Sequence, residues 1–128
     1  LYTWFAINDS RCVCPAGWHI PTDSEWTTLT EYLGGFNIAG GKMKETGTSH
    51  WKSPNEGTDN SSGFSALPGG FRNYYGSFFN IGELGFWWST TEYDEERAWG
   101  RKLDYYNTIS YQYNYDKCVG LSVRCVKD

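Results

Sequence analysis

Apolar residues are spaced in two ways along this chain, and the spacing changes near residue 63. In the first half, Trp26, Leu29 and Leu33 recur at intervals of three and four residues, the period of one face of an α-helix. In the second half, short aromatic and β-branched runs alternate with glycines, which is typical of strands joined by turns. The pattern predicts one helix over about residues 22–33, followed by a mostly antiparallel sheet.

The residues that flank this apolar stripe carry the signals of helix ends. Thr22 is suited to cap the helix N-terminus, and Glu25, three residues later, can return the hydrogen bond to complete a capping box. Asp23 places a negative charge at the positive end of the helix dipole. Gly34-Gly35 follows the last apolar residue and provides the stop. This helix is the best-defined element that the sequence predicts.

Runs rich in aromatic and β-branched residues, bounded by turn residues, predict the strands. One strand is predicted at Tyr2–Ile7, closed by a turn at Asn8–Ser10 and paired with a late strand. Six more follow Gly63, at residues 64–67, 71–75, 86–89, 98–103, 108–113 and 121–126. One or two short helices followed by a loop-rich, mostly antiparallel sheet make an α+β domain. No linker or repeat divides the chain, so residues 1–128 are predicted to form a single domain.

The segment between the helix and the sheet is compatible with more than one structure. A short helix around residues 37–40 is one alternative, but Gly40-Gly41 interrupts it, and residues 42–46 fit a strand equally well. Residues 47–62 are polar apart from a lone Trp51 and exceed the usual length of a connection. They predict an ordered surface loop, and such loops often carry function.

Composition and charge narrow the classes of partner. The 128 residues are enough for one hydrophobic core, and they include 7 Trp, 10 Tyr and 7 Phe. The net charge of -4 and the lack of a basic run remove the surface that nucleic acids or anionic membranes require. No apolar stretch reaches the roughly 18 residues of a membrane span. Neither nucleic acid nor membrane insertion is expected.

Four cysteines lie in two pairs, Cys12 with Cys14 and Cys118 with Cys125. A disulfide between the pairs would close a loop of about 100 residues and contribute up to about 4 to 5 kcal/mol in the chain-entropy model. The spacings Cys-x-Cys and Cys-x6-Cys are not those of a zinc knuckle, and neither histidine lies beside them. Disulfides are favoured over free thiols, and both over zinc, whereas the pairing itself is not fixed by the spacing.

Residues with catalytic potential are few. His19 and His50 are the only side chains whose ordinary pKa lies near neutrality. His19 precedes the helix, where a structural hydrogen bond to the backbone is favoured over catalysis. His50 lies beside Trp51 and could contact a ligand, but a solvated loop residue is favoured. The sequence contains no nucleophile elbow, zinc-binding helix motif or phosphate loop. An enzyme is therefore not expected.

Acidic residues offer two further alternatives. Asp94, Glu95 and Glu96 are adjacent, and paired carboxylates serve glycoside hydrolysis when they face each other across a sugar. A solvated acidic loop is the favoured interpretation. Calcium binds oxygens gathered on loops, and its candidate ligands are Asp59, Asn60, Glu92, Asp94, Glu95, Glu96 and Asp104. These residues match no known calcium loop, so no cofactor is predicted and calcium is the less favoured alternative.

Tyrosine is concentrated in the C-terminal half, interleaved with Asn, Ser, Thr, Asp and Gly. Eight of the ten follow residue 71: Tyr74, Tyr75, Tyr93, Tyr105, Tyr106, Tyr111, Tyr113 and Tyr115. Such a mixture is typical of binding surfaces, since Tyr gives contact area at low entropic cost and small polar residues add hydrogen bonds. Core packing is the alternative, and it is preferred for Trp87, Trp88 and Trp99. The Tyr spacing in residues 104–116 fits neither one sheet face nor a helix, so some of these side chains are expected to be exposed.

Several longer motifs resemble the Fibrobacter succinogenes major paralogous domain family. They are Cys14–Trp26, Gly40–Gly47, Gly63–Arg72, Trp87–Thr91 and Gly120–Val126, which together extend over nearly the whole chain. The resemblance implies a C-type-lectin-like fold, shared with formylglycine-generating enzymes, and a place on the bacterial cell surface or outside the cell. Leu1 opens on strand-like sequence without an export signal, so the domain is expected to be excised from a longer secreted or lipid-anchored protein.

This resemblance does not imply either of the two activities known for proteins of related folds. The copper-binding cysteine pair of the enzyme relatives has no match in Cys118 and Cys125. The calcium signature of sugar-binding C-type lectins is absent as well. Fold does not fix function, so the activity must be argued from the site.

The segment from Phe71 to the C-terminus is also similar to the variable region of proteins diversified by retroelements, on bacteria or phage. In those proteins the fold displays changeable side chains, with Trp87–Ser89 and Val123–Cys125 matching the constant scaffold. The displayed positions implied here are Glu83, Leu84, Phe86, Tyr93, Asp94, Glu95, Glu96, Asp104, Tyr106, Gln112, Asn114 and Tyr115. The expected function is non-enzymatic binding of a protein or glycan on another cell. A structural or adhesive module of fixed specificity is the alternative.

Overall fold

A computed structural model describes residues 1–128 of the chain and contains three helices and seven strands. In chain order they are α1 (Trp4–Ile7), β1 (Trp18–His19), α2 (Asp23–Tyr32), α3 (Phe36–Met43), β2 (Phe71–Arg72), β3 (Phe78–Phe79), β4 (Leu84–Glu92), β5 (Arg97–Asp104), β6 (Tyr111–Asp116) and β7 (Val126–Lys127). All strand pairs within the sheets are antiparallel. The α+β class predicted from the sequence is confirmed. No helix has the length and apolar character needed to cross a bilayer.

The helix predicted from residues 22–33 is confirmed as α2, with both of its end signals. The Thr22 hydroxyl accepts a hydrogen bond from the Glu25 backbone N–H at 3.2 Å, and the Thr22 N–H donates to the Glu25 carboxylate at 2.8 Å. At the other end the Gly34 and Gly35 N–H groups donate to the carbonyls of the last turn, and Gly34 adopts φ 104°. The helix buries Trp26 against the sheet.

The strand predicted at Tyr2–Ile7 is wrong, because most of that run forms the short helix α1. Trp4 and Ile7 are three residues apart and both are buried, whereas Phe5 between them is exposed, which is a helical arrangement. Only Tyr2 keeps the expected pairing: it exchanges two backbone hydrogen bonds with Leu121, at 2.8 and 2.9 Å. The first residues are thus fixed to a late segment by one bridge.

Helix α3 passes straight through Gly40-Gly41, contrary to the expectation that these glycines would interrupt it. Both glycines are buried against other loops of the chain. A Cβ at Gly40 would lie 2.6 Å from the Ile109 carbonyl oxygen, and one at Gly41 would overlap the Gly57 carbonyl oxygen. The glycines are therefore required for the close approach of loops to this helix.

The main sheet has the strand order β4-β5-β6 and separates two hydrophobic cores. Successive side chains of a strand point to opposite faces. Trp88 therefore belongs to one core, with Trp4, and Trp87 to the other, with Trp26. The assignment of Trp87 and Trp88 to the core is confirmed, while Trp99 is only half-buried.

Several predicted strands are shorter than expected, because side chains and glycines turn the backbone. Residues 64–67 form only a single bridge, at Ala66, and the neighbouring Ser65 has φ 54°. The strand predicted from residue 108 begins at Tyr111, since the Asn107 side chain accepts from the Ile109 N–H and forms a turn there. Of residues 121–126, only Val126 lies in a strand, β7, which pairs with β1. The hairpin strand β3 was not predicted.

The predicted ordered loop at residues 47–62 is confirmed. Trp51 is its buried anchor, and its indole N–H donates to the Ala66 carbonyl at 2.8 Å. Asn55 holds the start of the loop, since its amide donates to the carbonyls of Glu45 and Gly47. The loop contains no helix or strand, and the backbone N–H groups of Lys52, Glu56 and Asp59 bind it to carbonyls of other segments.

One disulfide joins the two ends of the chain, between Cys14 and Cys125, with a sequence separation of 111. Cys14 is buried in the first core, and Cys125 packs against it. The other two disulfide candidates, Cys12 and Cys118, are free and exposed to solvent. The expectation of a disulfide is thus correct for one pair and wrong for Cys12 and Cys118, which lie outside the core that the bridge braces.

Candidate functional site

One face of the main sheet ends in a row of tyrosines on β6, which is an edge strand. Tyr111 and Tyr113 point to the same side, and their rings stack with centroids 5.9 Å apart and planes inclined by 14°. Lys102, directly opposite Tyr111 on β5, places its Nζ 4.2 Å from the Tyr111 ring centroid and 5.5 Å from that of Tyr113. The lysine thus holds both rings through cation–π contacts.

Below this pair the rings continue as a packed row that extends to the β2–β3 hairpin. Tyr113 meets Tyr115, which packs edge-on against Phe86 at 5.7 Å. Phe86 in turn contacts Phe71 at 5.5 Å, and Phe71 stacks on Phe79 at the same distance. The inner rings are largely buried and form the floor, so the outer rings stand on a rigid support.

We call the exposed part of this row the aromatic face. Its exposed members lie at the outer ends of the row and on the adjoining turns, namely Tyr74, Tyr75, Phe78, Phe79, Tyr106 and Tyr113, with the partly buried Tyr111 and Lys102 among them. Tyr113 is 48% exposed and Tyr106 is 57% exposed. Large rings at these exposures leave an apolar surface without an intramolecular partner.

The turn after β5 positions Tyr106 at one end of the aromatic face. The Asp104 carboxylate, inside this turn, accepts from the Tyr106 N–H at 3.4 Å. The same carboxylate raises the pKa of the Tyr106 hydroxyl above its ordinary value. From behind, the Lys44 ammonium donates to the carbonyls of Asp104 and Asn107, at 2.8 and 2.9 Å. The turn is fixed on both sides.

The hairpin of β2 and β3 forms the other end of the aromatic face. Its turn is closed by Asn73, whose side chain accepts from the Ser77 N–H at 2.9 Å. Tyr74 and Tyr75 lie on this turn with ring centroids 4.2 Å apart, and Phe78 on β3 is 58% exposed. The hairpin therefore adds four exposed rings to those of β6.

The twelve positions that the sequence predicted for display do not form one patch. Six are exposed: Tyr93, Asp94, Glu95, Glu96, Tyr106 and Gln112. Four are partly buried: Glu83, Leu84, Asn114 and Tyr115. Only Tyr106 belongs to the aromatic face. Gln112 and Asn114 alternate with the tyrosines of β6 and lie on the opposite side of the sheet.

Two of the twelve predictions are wrong, because Phe86 and Asp104 are buried. Phe86 is only 6% exposed, enclosed between the rings of Phe71 and Tyr115. Asp104 is 2% exposed, with its carboxylate turned toward its own turn and Lys102. Neither side chain is accessible to a large ligand.

The acidic turn between β4 and β5 is organised by a buried lysine. The Lys117 ammonium donates to the Glu92 carboxylate and to the carbonyls of Asp94 and Glu95, all within 2.9 to 3.0 Å. The Asp94 carboxylate caps the same turn by accepting from the N–H groups of Glu96 and Arg97. Asp94 is therefore occupied by structural hydrogen bonds.

The calcium candidates lie apart from one another. Nowhere do three or more His, Cys, Asp or Glu side chains gather in a way that could hold a metal ion. Asp59 accepts from the Ser61 N–H in its own loop, and Glu92 is paired with Lys117. The acidic residues that a calcium site would need thus serve separate turns.

The two histidines have different surroundings. His19 bridges two carboxylates, with Nδ1 2.6 Å from Asp128 and Nε2 2.8 Å from Glu25. These hydrogen bonds, that of Asp128 first, raise the pKa of His19. The bridge joins the start of α2 to Asp128, so the partners of His19 are two carboxylates rather than the backbone group that was predicted. His50 is exposed and contacts Glu45 at 2.7 Å.

Sequence reasoning missed Lys102 and the Phe78-Phe79 pair. Lys102 alternates with Arg101 on β5, so its position on the aromatic face follows from the strand period once the register is known. Phe78 and Phe79 follow a turn signal at Asn73–Ser77, and this signal indicates a hairpin. The local pattern was present, but its partner strand could be identified only in the fold.

Comparison with known proteins gives one match. The family model described as Fibrobacter succinogenes major domain matches residues 1–127. No curated protein and no solved structure matches the chain.

Proposed function

The chain belongs to the Fibrobacter succinogenes major domain family, and on this premise we propose that it is a non-enzymatic domain that binds a protein or glycan on another cell. The observation that carries the proposal is the aromatic face, in which rings of β6 and of the β2–β3 hairpin adjoin one packed row of rings, with Tyr106 exposed on the turn after β5. Binding energy in protein interfaces is concentrated in such rings.

The rigid support of the aromatic face favours tight binding. The rings of the partly buried Tyr111 and the exposed Tyr113 are held by each other and by Lys102, and the buried rings beneath them cannot move without breaking the core. A side chain that is already ordered loses little entropy when a ligand covers it. Contact area on this face therefore contributes more of its free energy to affinity than it would on a mobile loop.

The titratable groups near the aromatic face support a binding role rather than catalysis. Lys102 is committed to two rings, and the Asp104 carboxylate is buried beneath the surface. The Asp104 carboxylate raises the pKa of Tyr106, which disfavours the phenolate that would act as a base. We accordingly include in the proposal that the domain uses no cofactor and needs no calcium.

Location and fold are the next part of the proposal. We place the domain outside the cell or on the bacterial surface, which is supported by the Cys14–Cys125 disulfide, because such bridges persist in oxidising compartments. We also assign it to the C-type-lectin-like fold, supported by the short helices, the antiparallel sheets and the early segment that pairs with a late one.

Diversification by a retroelement is a further element of the proposal, carried by the resemblance of the C-terminal half to variable proteins. It requires exposed positions whose replacement leaves the core intact, and Tyr93, Tyr106 and Gln112 meet this requirement. Sequencing the encoding locus across a growing population tests it. Substitutions concentrated at exposed codons between residues 71 and 120 are expected, and an even spread along the gene would exclude diversification.

Binding by the aromatic face is tested by replacing two of its exposed rings. A fluorescent multimer of the domain should stain some members of a panel of bacterial and host cells, and the variant Tyr106→Ala/Tyr113→Ala should lose this staining. Two anchor residues of this kind are together worth at least about 2 kcal/mol, or roughly thirtyfold in affinity.

Tyr32 provides the matched control for this experiment. It is 86% exposed at the end of α2, away from the aromatic face, so Tyr32→Ala removes a similar ring without touching the proposed site. Staining should persist in this variant. Staining that the double variant retains, or that Tyr32→Ala abolishes equally, would contradict the proposal.

A further inference from the structure

A cleft lies on the side of β6 opposite the aromatic face, bounded by α2 and by the start of α3. Its volume is about 270 Å³. It adjoins a shallower cavity of about 340 Å³ that leads past Tyr111 and Tyr113 to the aromatic face. The cleft is thus separate from the proposed binding face but continuous with its edge.

The floor of the cleft is a charged pair whose charges cancel. Arg101 is 2% exposed, and its guanidinium pairs with the Asp23 carboxylate and donates to the Thr27 hydroxyl at 3.0 Å. Gln112 donates from Nε2 to the other Asp23 oxygen at 2.7 Å, which leaves its amide oxygen as an acceptor toward the cleft. The floor is therefore polar and nearly neutral, with hydrogen-bonding capacity left over.

Ser110 contributes a hydroxyl without any partner in the protein. The residue is 3% exposed and borders both cavities, yet its Oγ makes no hydrogen bond with a protein group. A buried hydroxyl that lacks a hydrogen-bond partner lowers the stability of the folded chain. Such a group is retained in a cleft at less cost when a solvent or ligand hydroxyl can pair with it.

An aromatic wall and an acidic rim complete the cleft. The Phe36 side chain is 59% exposed, and its position relative to Ser110 is fixed because the Phe36 carbonyl accepts from the Ser110 N–H at 2.8 Å. Glu31 lies exposed at the rim and adds a carboxylate that accepts hydrogen bonds. One flat apolar surface thus faces several polar groups across a small space.

We propose that this cleft binds a single neutral sugar ring, as part of a glycan. The ring's C–H face would pack on Phe36, and its hydroxyls would pair with Ser110, Gln112 and Glu31. An anion is disfavoured because Asp23 already neutralises Arg101 and Glu31 adds negative charge. An apolar ligand would leave the Ser110 hydroxyl unpaired. The inference goes beyond the proposed function, since it concerns a different cavity from the aromatic face.

Amide NMR of the whole chain with defined probes tests the proposal. The probes are neutral methyl glycosides of a hexose, a deoxyhexose, a pentose and an N-acetylhexosamine. At least one should cause saturable shifts centred on Thr30, Ser110 and Gln112. No saturable shift with any of the four, or shifts centred elsewhere, would overturn the proposal.

Two variants test whether the residues that line the cleft bind the sugar. Ser110→Ala should weaken sugar binding about fivefold, the worth of one hydrogen bond. Its unfolding midpoint should not fall, because the hydroxyl it removes has no protein partner. Phe36→Ala should weaken binding by a similar factor, whereas Phe5→Ala, an equally exposed ring on α1, should not. Unchanged affinity in both cleft variants would overturn the proposal.

Charged probes and a face variant complete the test. Glucuronate and inorganic phosphate should bind more weakly than the neutral glycosides, and tighter binding of either would make the cleft an anion site and overturn the proposal. Tyr106→Ala should retain the sugar shifts, because this residue lies outside the cleft. Loss of cell staining together with retained sugar binding would identify the cleft and the aromatic face as separate sites.

Discussion

Two buried lysines, Lys44 and Lys117, have the same structural role at the two ends of the main sheet. Each ammonium donates to backbone carbonyls of a turn and lies over a tryptophan ring, at 5.5 Å from the Trp51 centroid and 4.6 Å from that of Trp4. Both residues are almost fully buried. Carbonyl oxygens thus compensate the cost of removing a charge from water. Each lysine fixes a turn that borders the sheet.

Lys44 should titrate far below an ordinary lysine. Burial lowers its pKa from 10.5 to about 8, and the nearby Asp104 only partly opposes this shift. Between these two values the unfolded chain binds more protons than the folded one, so Lys44's contribution to stability increases as the pH rises from about 8 to 10.5. Side-chain NMR of labelled lysine checks the value.

Lys52 is the internal control for this titration. It is exposed and paired with Glu83, and the pair raises its pKa above the ordinary value. Lys44 should titrate near pH 8, and Lys52 above the ordinary value for lysine. If Lys44 titrated above pH 10, its ammonium would not be desolvated as described.

At the residue scale, the sequence predicted exposure well where the side chain alone decides it. The expectation that some Tyr side chains of residues 104–116 are exposed is confirmed by Tyr106 and Tyr113. The prediction that Asp104 is displayed was wrong. This polar residue is buried because its own turn and Lys102 surround it. Such partners come from other parts of the chain, and local pattern does not contain them.

At the element scale, α3 shows tertiary packing overriding helix propensity. Replacing Gly41 by Ala would raise propensity by about 1 kcal/mol in an exposed helix. Here the added Cβ overlaps the Gly57 carbonyl oxygen and comes within 3.0 Å of the Thr108 methyl group. Backbone cannot give way as a flexible side chain would. The overlap therefore outweighs the gain in helix propensity, so the substitution is expected to lower the stability of the protein.

Gly41→Ala should accordingly destabilise the protein by about 1 to 3 kcal/mol, the usual cost of overpacking. Urea unfolding followed by tryptophan fluorescence measures it. Asn37→Ala is the control on the same helix, because Asn37 is exposed and should change stability by no more than about 0.5 kcal/mol. Equal or greater stability of Gly41→Ala would show that the loop at Gly57 does not pack closely on α3.

Elements with several agreeing signals were predictable, and short ones were not. Helix α2 combines an apolar stripe, a capping box and a glycine stop, and all three are present in the structure. In Tyr2–Ile7 the run is too short to distinguish a period of two from one of 3.6. Its helix is only four residues long and is decided by the burial of Trp4 and Ile7 in the core.

At the scale of the whole molecule, the Cys14–Cys125 bridge constrains nearly the full chain. It spans 111 residues, which in the chain-entropy model corresponds to about 4 to 5 kcal/mol. Reduction should therefore lower the free energy of unfolding by about 2 to 5 kcal/mol, measured by urea unfolding with and without reductant. No change on reduction would contradict the role assigned to this bridge.

Thiol counting provides the companion measurement. The denatured, unreduced protein should react at two thiols, Cys12 and Cys118, and the reduced protein at four. The variant Cys12→Ser/Cys118→Ser serves as control and should unfold at the same urea concentration as the parent protein. Four reactive thiols before reduction would show that the bridge is not formed.

The overall architecture was more predictable than the site. The α+β class followed from the change of spacing near residue 63, and the family motifs extend over almost the whole chain. The aromatic face depends on the register of β5 against β6, which brings Lys102 opposite Tyr111. Register is a long-range property, so only one of the twelve predicted display positions, Tyr106, lies on that face. The C-type-lectin-like fold and the binding function stay predictions.

If the ligand covers the aromatic face, hydroxyl-radical footprinting of the bound domain should detect the covered rings. The domain would be labelled with and without the cells it stains, and modification would be read at each ring by mass spectrometry. We expect Tyr106, Tyr113 and Phe78 to be protected from labelling in the bound state, and Tyr32 and Phe5 to be labelled equally in both states. Protection centred on Tyr32 or Phe5, with the aromatic face still labelled, would contradict this expectation.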